Sequence, residues 1–150
     1  MKNIIAFIFV AFAMSAHAQL ENPVKWEFKA KKIGNKQYEL HLIAVIENKW
    51  HVYAQEAGEG PAPTVISFAA NPLVSIDGKV KEIGKLESVF DPNFKSTLRY
   101  YSNKVDFVQK IKLKSSASTV VKGTVSFMVC NDRKCLPPKE IPFSVKISTK

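Results

Sequence analysis

The stretch "VKWEFKAKKIGNKQYELHLIAVIE", residues 24–47, decides the fold. Its first arm alternates Val24, Trp26, Phe28 and Ala30 with Lys25, Glu27 and Lys29. An extended chain sends successive side chains to opposite faces, so this period of two marks a strand with one face buried and one in water. Gly34-Asn35 is a hairpin turn signal, and "KQYELHLIAVIE" returns as a long β-rich run.

The same pattern continues outward. "ENK" turns the chain into "WHVYA", and "QEAGEGPAP" is a loop punctuated by Gly58, Gly60, Pro61 and Pro63. Short strands are expected at "TVISF", "LVSI" and "KVKEIGKLES", the last two joined by a turn at Asp77-Gly78. "FDPNFKST", residues 90–97, reads as a further loop. "VDFVQKIKL", "GTVSFMVC" and "IPFSVKIS" follow, with alternations such as Val125-Phe127-Val129 and Phe143-Val145-Ile147. Turn signals about every eight to twelve residues, without a helical period, predict an all-β, immunoglobulin-like antiparallel β-sandwich. Trp26 and Trp50 read as core. No repeat, low-complexity segment or internal linker interrupts the chain, and 150 residues suffice for one domain with a real core.

"MKNIIAFIFVAFAMSAHA" has the layout of a secretory signal peptide: Lys2, an apolar run over residues 4–14, and Ala16-His17-Ala18 as a small-x-small cleavage site. The apolar run is too short to span a bilayer comfortably. Cleavage after Ala18 leaves Gln19, not cysteine, at the new terminus, which argues against a lipid anchor. A soluble, exported domain over residues 19–150 is therefore expected. Losing Lys2 lowers the formal charge from +9 by one, to +8. The lysines are dispersed, with no run of five, which reads as a solvated basic surface and not a nucleic-acid site. Such a surface favours acidic partners.

Export places the two cysteines, Cys130 and Cys135, in an oxidising compartment. Three readings of "FMVCNDRKCLPPKEIPF" compete. As a staple, a loop of about six residues gains roughly 2 kcal/mol, near the bottom of the range, and it clips only the two arms of one hairpin. As a metal site it is short of ligands, since only His41 and His51 remain after cleavage and Met128 sits in an alternating strand as core filler. As a redox dithiol it accounts for more. Cys130 ends an apolar strand and Cys135 begins the returning arm, so a four-residue loop brings the sulfurs within bonding reach. Arg133 and Lys134 beside Cys135 favour its thiolate, the reactive form. Pro137 and Pro138 lack amide hydrogens, so that arm cannot pair as an interior strand and leaves an edge near the sulfur.

The pattern C-x4-C-x-P-P near the end of a small exported β domain resembles the amino-terminal periplasmic domain of the thiol:disulfide interchange protein DsbD. "VKWEFKA", "KWHVYAQ" followed by "GPAPT", and "VFDPNFKSTLRYY" resemble it in the same order, over about residues 23–150. The loop between the cysteines is one residue shorter than in the best-known member.

The resemblance implies a periplasmic oxidoreductase of the protein-disulfide reductase type, with the cysteine pair as redox centre and no cofactor. It implies thioredoxin-like partners: a membrane-linked donor, and acceptors such as a disulfide isomerase or a cytochrome c maturation protein. Because the sequence ends at Lys150, the donor is expected to be a separate protein. Carried over by position, Cys135 is the attacking thiol and Cys130 the resolving one. "FDPNFKS" matches the family's cap loop, with Phe94 as the capping aromatic and Asp91 as a carboxylate that tunes the thiol. Tyr53 matches an aromatic position lining the site. Two rivals stand beside this reading: a non-catalytic cell-envelope binding module with a structural hairpin disulfide, and a copper-delivery protein.

Overall fold

The computed structural model describes residues 21–149, so the leader expected over residues 1–18 lies outside the described residues. Nine strands follow in order: β1 Val24–Gly34, β2 Gln37–Ile46, β3 His51–Tyr53, β4 Val65–Phe68, β5 Val74–Asp91, β6 Ser96–Leu113, β7 Thr119–Phe127, β8 Val129–Cys130 and β9 Lys139–Ile147. All named pairs are antiparallel and form two sheets, the expected immunoglobulin-like sandwich.

The 18-residue β6 organises the larger sheet. One of its edges carries β5 along its length; the other is shared by β2, over Lys104–Lys112, and β3, over Tyr100–Ser102. β1 extends the sheet beyond β2, and β8 extends it beyond β3. The smaller sheet runs β4-β7-β9.

The alternation in residues 24–47 places its apolar face inward. Leu40, Leu42 and Ala44 of β2 are fully buried, and Trp26 and Phe28 of β1 pack over them. Trp26 lies 5.8 Å from Phe107 and 5.3 Å from Phe127 between ring centroids, and Phe28 lies 5.4 Å from Phe143, so aromatic contacts tie the two sheets together.

Four local expectations are corrected by the structure. The first turn is Asn35-Lys36, with Lys36 in the left-handed region, because a bulge near Ile33 shifts the register by one. Asp77-Gly78 is not a turn between two strands but an irregularity inside β5, where the register jumps from Asp77 to Lys81. Buried Gln109 stabilises it by donating from Nε2 to the Asp77 carbonyl at 2.9 Å. "FDPNFKST" is the tip of the β5–β6 hairpin, paired through Phe90↔Thr97 and Asp91↔Ser96. Last, "GTVSFMVC" divides at Met128. β7 pairs in the small sheet and β8 pairs with β3 in the large one, so the chain changes sheets there.

Candidate redox site

That change of sheets delivers Cys130 beside β3. His51 and Cys130 are direct partners in the β3–β8 ladder, as are Val52 and Val129. Cys130 is bonded to Cys135 in a disulfide. The loop between them is closed by main-chain donation from Asn131 to the Lys134 carbonyl, 2.9 Å, and from Leu136 to the Val129 carbonyl, 2.9 Å. Asn131 Oδ1 also accepts from the Arg133 and Lys134 amides, both at 2.9 Å, so one side chain shapes the loop. Residues 136–138 belong to no strand, as the two prolines require.

The two sulfurs are unequally placed. Cys130 is 2% exposed and packs with Tyr53, Ala57 and Leu98, whereas Cys135 is exposed. Met128, expected as core filler, packs half-buried against this small cluster and accepts from the Ala62 amide at 3.4 Å.

A groove of about 480 Å³ brings all five sequence-predicted residues together: Cys130, Cys135, Tyr53, Asp91 and Phe94 line it. Phe94 sits at the hairpin tip and is 43% exposed. A Cβ on residue 60 would overlap its ring, so the ring rests on Gly60, whose φ of +124° itself favours glycine. The hairpin is moored to the same loop by donation from the Glu59 amide to Ser96 Oγ, 2.9 Å, and from the Arg99 amide to the Ala57 carbonyl, 2.8 Å.

Asp91 Oδ1 accepts from the Asn93 amide at 2.8 Å and the Phe94 amide at 3.3 Å, so this carboxylate builds the turn that presents Phe94. Tyr53 is buried, and its carbonyl accepts from Thr64 Oγ1 at 2.5 Å. Burial pushes its phenol pKa above the ordinary value, and the Asp91 charge and Tyr100 add to the rise. Of the two cations beside Cys135, Lys134 is paired with Glu21 at 2.5 Å, an exposed bridge. Arg133 has no carboxylate partner among the described residues.

Sequence reading treated His51 only as a spare metal ligand. In the structure its ring lies 4.2 Å from that of Tyr100, and Nε2 is 3.3 Å from the Tyr53 hydroxyl. Burial lowers its pKa below the usual imidazole value, with Asp132 and Glu87 pulling weakly the other way. A signal was present: His51 and Tyr53 stand two apart in "WHVY", so a strand puts both on one face. Tyr100, Val89 and Phe90 complete the groove wall and were likewise missed; Val89 and Phe90 are 50% and 62% exposed. No cluster of three or more His, Cys, Asp and Glu suited to a metal occurs among the described residues.

The fold is similar to that of the DsbD N-terminal domain from Neisseria meningitidis in the reduced form, at a TM-score of 0.55 and 13% identity over 84% of this chain and 86% of that one. It is also similar to the N-terminal periplasmic domain of ScsB from Proteus mirabilis, with TM-score 0.53 and 15% identity over 84% of this chain and 45% of that one. A complex between the DsbD and PilB N-terminal domains from Neisseria meningitidis matches at TM-score 0.52 and 14% identity, over 84% and 87% of the respective chains. No curated protein matches. The family model described as thiol:disulfide interchange protein DsbD, N-terminal, matches residues 16–146. The chain, with its paired cysteines, belongs to that family of thiol:disulfide interchange domains.

Proposed function

We propose that this domain is a periplasmic thiol:disulfide interchange protein that passes electrons between thioredoxin-like partners through Cys130 and Cys135. The observation that carries the reading is the unequal exposure of the two sulfurs at the end of one groove. In the reduced domain the exposed Cys135 thiolate attacks a partner disulfide, forming a mixed disulfide and releasing one partner sulfur as a thiolate. The Cys130 thiolate then attacks the Cys135 sulfur, closing the intramolecular disulfide and releasing the second partner thiolate. Two electrons pass to the partner, and a donor dithiol restores the pair by the reverse route.

Phe94 acts as the cap over this chemistry, held out by the Asp91 turn, while Asp91 and Tyr53 set the polarity of the groove. The exposed Val89 and Phe90 beside Phe94 offer an apolar rim on which a partner can dock once the cap moves. The PilB complex of a related fold supports a protein partner of this kind. The leader over residues 1–18, with the ScsB domain named as periplasmic, supports export to the periplasm. Among acceptors, a disulfide isomerase or a cytochrome c maturation protein fits the chemistry.

The test is trapping with Cys130→Ser, which leaves Cys135 to hold partners as mixed disulfides. Thioredoxin-like proteins should accumulate on it in periplasmic extracts and be released by dithiothreitol. The reduction potential should lie above about −300 mV, the region below which structural disulfides resist reduction. A potential well below that value, with no trapped partner, would leave the cysteine bridge as a hairpin clip.

A further inference from the structure

Resolution of a mixed disulfide needs a thiolate at Cys130, and Cys130 is the buried sulfur, 2% exposed in the wall of the groove. Burial of a thiol in apolar surroundings opposes its ionisation. The apolar side chains packed on it, Tyr53, Ala57 and Leu98, offer no base. The groups lining its groove that could take a proton are the His51 imidazole and the Asp91 and Asp132 carboxylates, and of these only His51 stands directly opposite Cys130 in a strand ladder.

We infer that His51 is the proton acceptor for the Cys130 thiol in the resolving step of exchange. The inference rests on the interchange function proposed above and assigns a residue to its second half. His51 and Cys130 face each other directly across the β3–β8 ladder, which puts their side chains on the same face with Cβ atoms about 4.5–5.5 Å apart. Both line the groove. The ring is held by its tilted packing on Tyr100 and by the contact of Nε2 with the Tyr53 hydroxyl; among the described residues Nδ1 has no protein hydrogen-bond partner. The tautomer that serves as acceptor carries its hydrogen on Nε2 and donates it to the Tyr53 hydroxyl, which leaves Nδ1 open to take the Cys130 proton; the imidazolium so formed keeps the Nε2–H donation to Tyr53. The groups bearing on the ring are Tyr53 from β3, Tyr100 and Glu87 from the β5–β6 hairpin, and Asp132 from the cysteine loop. Its burial keeps the imidazole neutral near pH 7, ready to accept, and the two carboxylates support the imidazolium once formed.

The step balances. The Cys130 S–H proton moves to His51, the Cys130 thiolate attacks Cys135 Sγ, and the Cys135–partner S–S bond breaks. The departing partner thiolate then takes the proton from the imidazolium, leaving His51 neutral and the domain oxidised.

The experiment uses the reduced domain and oxidised glutathione, with acid quenching and mass spectrometry to separate formation of the glutathione adduct from its resolution. Formation is timed in a Cys130→Ser background with and without His51→Gln, and resolution in the two-cysteine protein with and without the same change. His51→Gln should leave adduct formation at Cys135 unchanged and slow resolution by about tenfold or more at pH 7. The wild-type resolution rate should level off above pH about 6.5, whereas that of the variant should keep rising toward the thiol range near 8.5. His51→Phe, which keeps an aromatic ring against Tyr100, should behave like Gln. Circular dichroism and an unchanged urea midpoint show that the variants are folded. Equal resolution rates and profiles in wild type and variants overturn the assignment while leaving the interchange function intact. Absence of a glutathione adduct in every protein overturns the interchange function, and the role of His51 with it.

Discussion

The ring of Phe94 lies where a side chain on residue 60 would have to go, so Gly60 and Phe94 form a seat between the hairpin tip and the loop after β3. Gly60→Ala should therefore unseat the ring and, at φ +124°, cost about 1–3 kcal/mol of stability. Phe94→Ala removes the same ring without backbone strain. Both variants should react several-fold faster than wild type at reduced Cys135 with a small disulfide, but only Gly60→Ala should lower the urea midpoint appreciably. Equal reaction rates in all three proteins would mean that the ring does not shield the sulfur.

The two thiols should differ in reactivity once reduced. With Cys135 exposed and Cys130 2% exposed, iodoacetamide should modify Cys135 quickly in Cys130→Ser and Cys130 slowly in Cys135→Ser. In urea the difference should disappear. Comparable rates in the folded variants would remove the structural basis for assigning attack to Cys135.

His51 links stability to pH. Its folded pKa lies below the unfolded value of 6.5, so below that pH the unfolded chain binds more protons than the native state. Stability from this group is thus present above pH 6.5 and declines as the pH falls through and below it. The difference in unfolding free energy between wild type and His51→Gln should shift against wild type between pH 7 and pH 5. A constant difference across that window would contradict burial of a neutral imidazole.

At the other end of the scale, Tyr101 donates to Glu82 Oε2 at 2.9 Å, and burial together with that carboxylate raises its pKa well above the ordinary phenol value. Tyr53 and Tyr100 are raised too, mainly by burial. Their contribution to stability is complete below pH 10 and is lost as pH climbs toward the folded values. Absorbance at 295 nm should show delayed phenolate formation at pH 10–11 in the native protein, and ordinary titration in urea. Glu82→Gln should bring part of that delay down.

Much of the site was legible in the chain itself. The segment holding both cysteines, the aromatic at 53 and the "FDPNFKS" tip all line one groove. What was read as a loop is the end of a hairpin, because ladder pairing persists to Asp91↔Ser96 before the Asp91 side chain closes the turn. His51 shares a face with Tyr53 by its spacing, but its place opposite Cys130 comes from the β3–β8 pairing, which no local pattern marks. Gly60 escaped because the ring that requires it comes from thirty-four residues later in the chain.

Alternation of apolar and polar residues by itself determined that β1, β7 and β9 form strands and which face of each points inward. Val125, Phe127 and Val129 keep one buried face straight through the change of sheets at Met128. That pattern is local, because the direction of a side chain depends only on the extended backbone. Which ladder each strand joins depends instead on packing between distant segments, and only the tertiary structure decided it. Pairing β8 with β3 buried Cys130, left Cys135 in solvent and set His51 opposite the inner sulfur. Two cysteines five residues apart became unequal because the sheet covers one and the turn exposes the other.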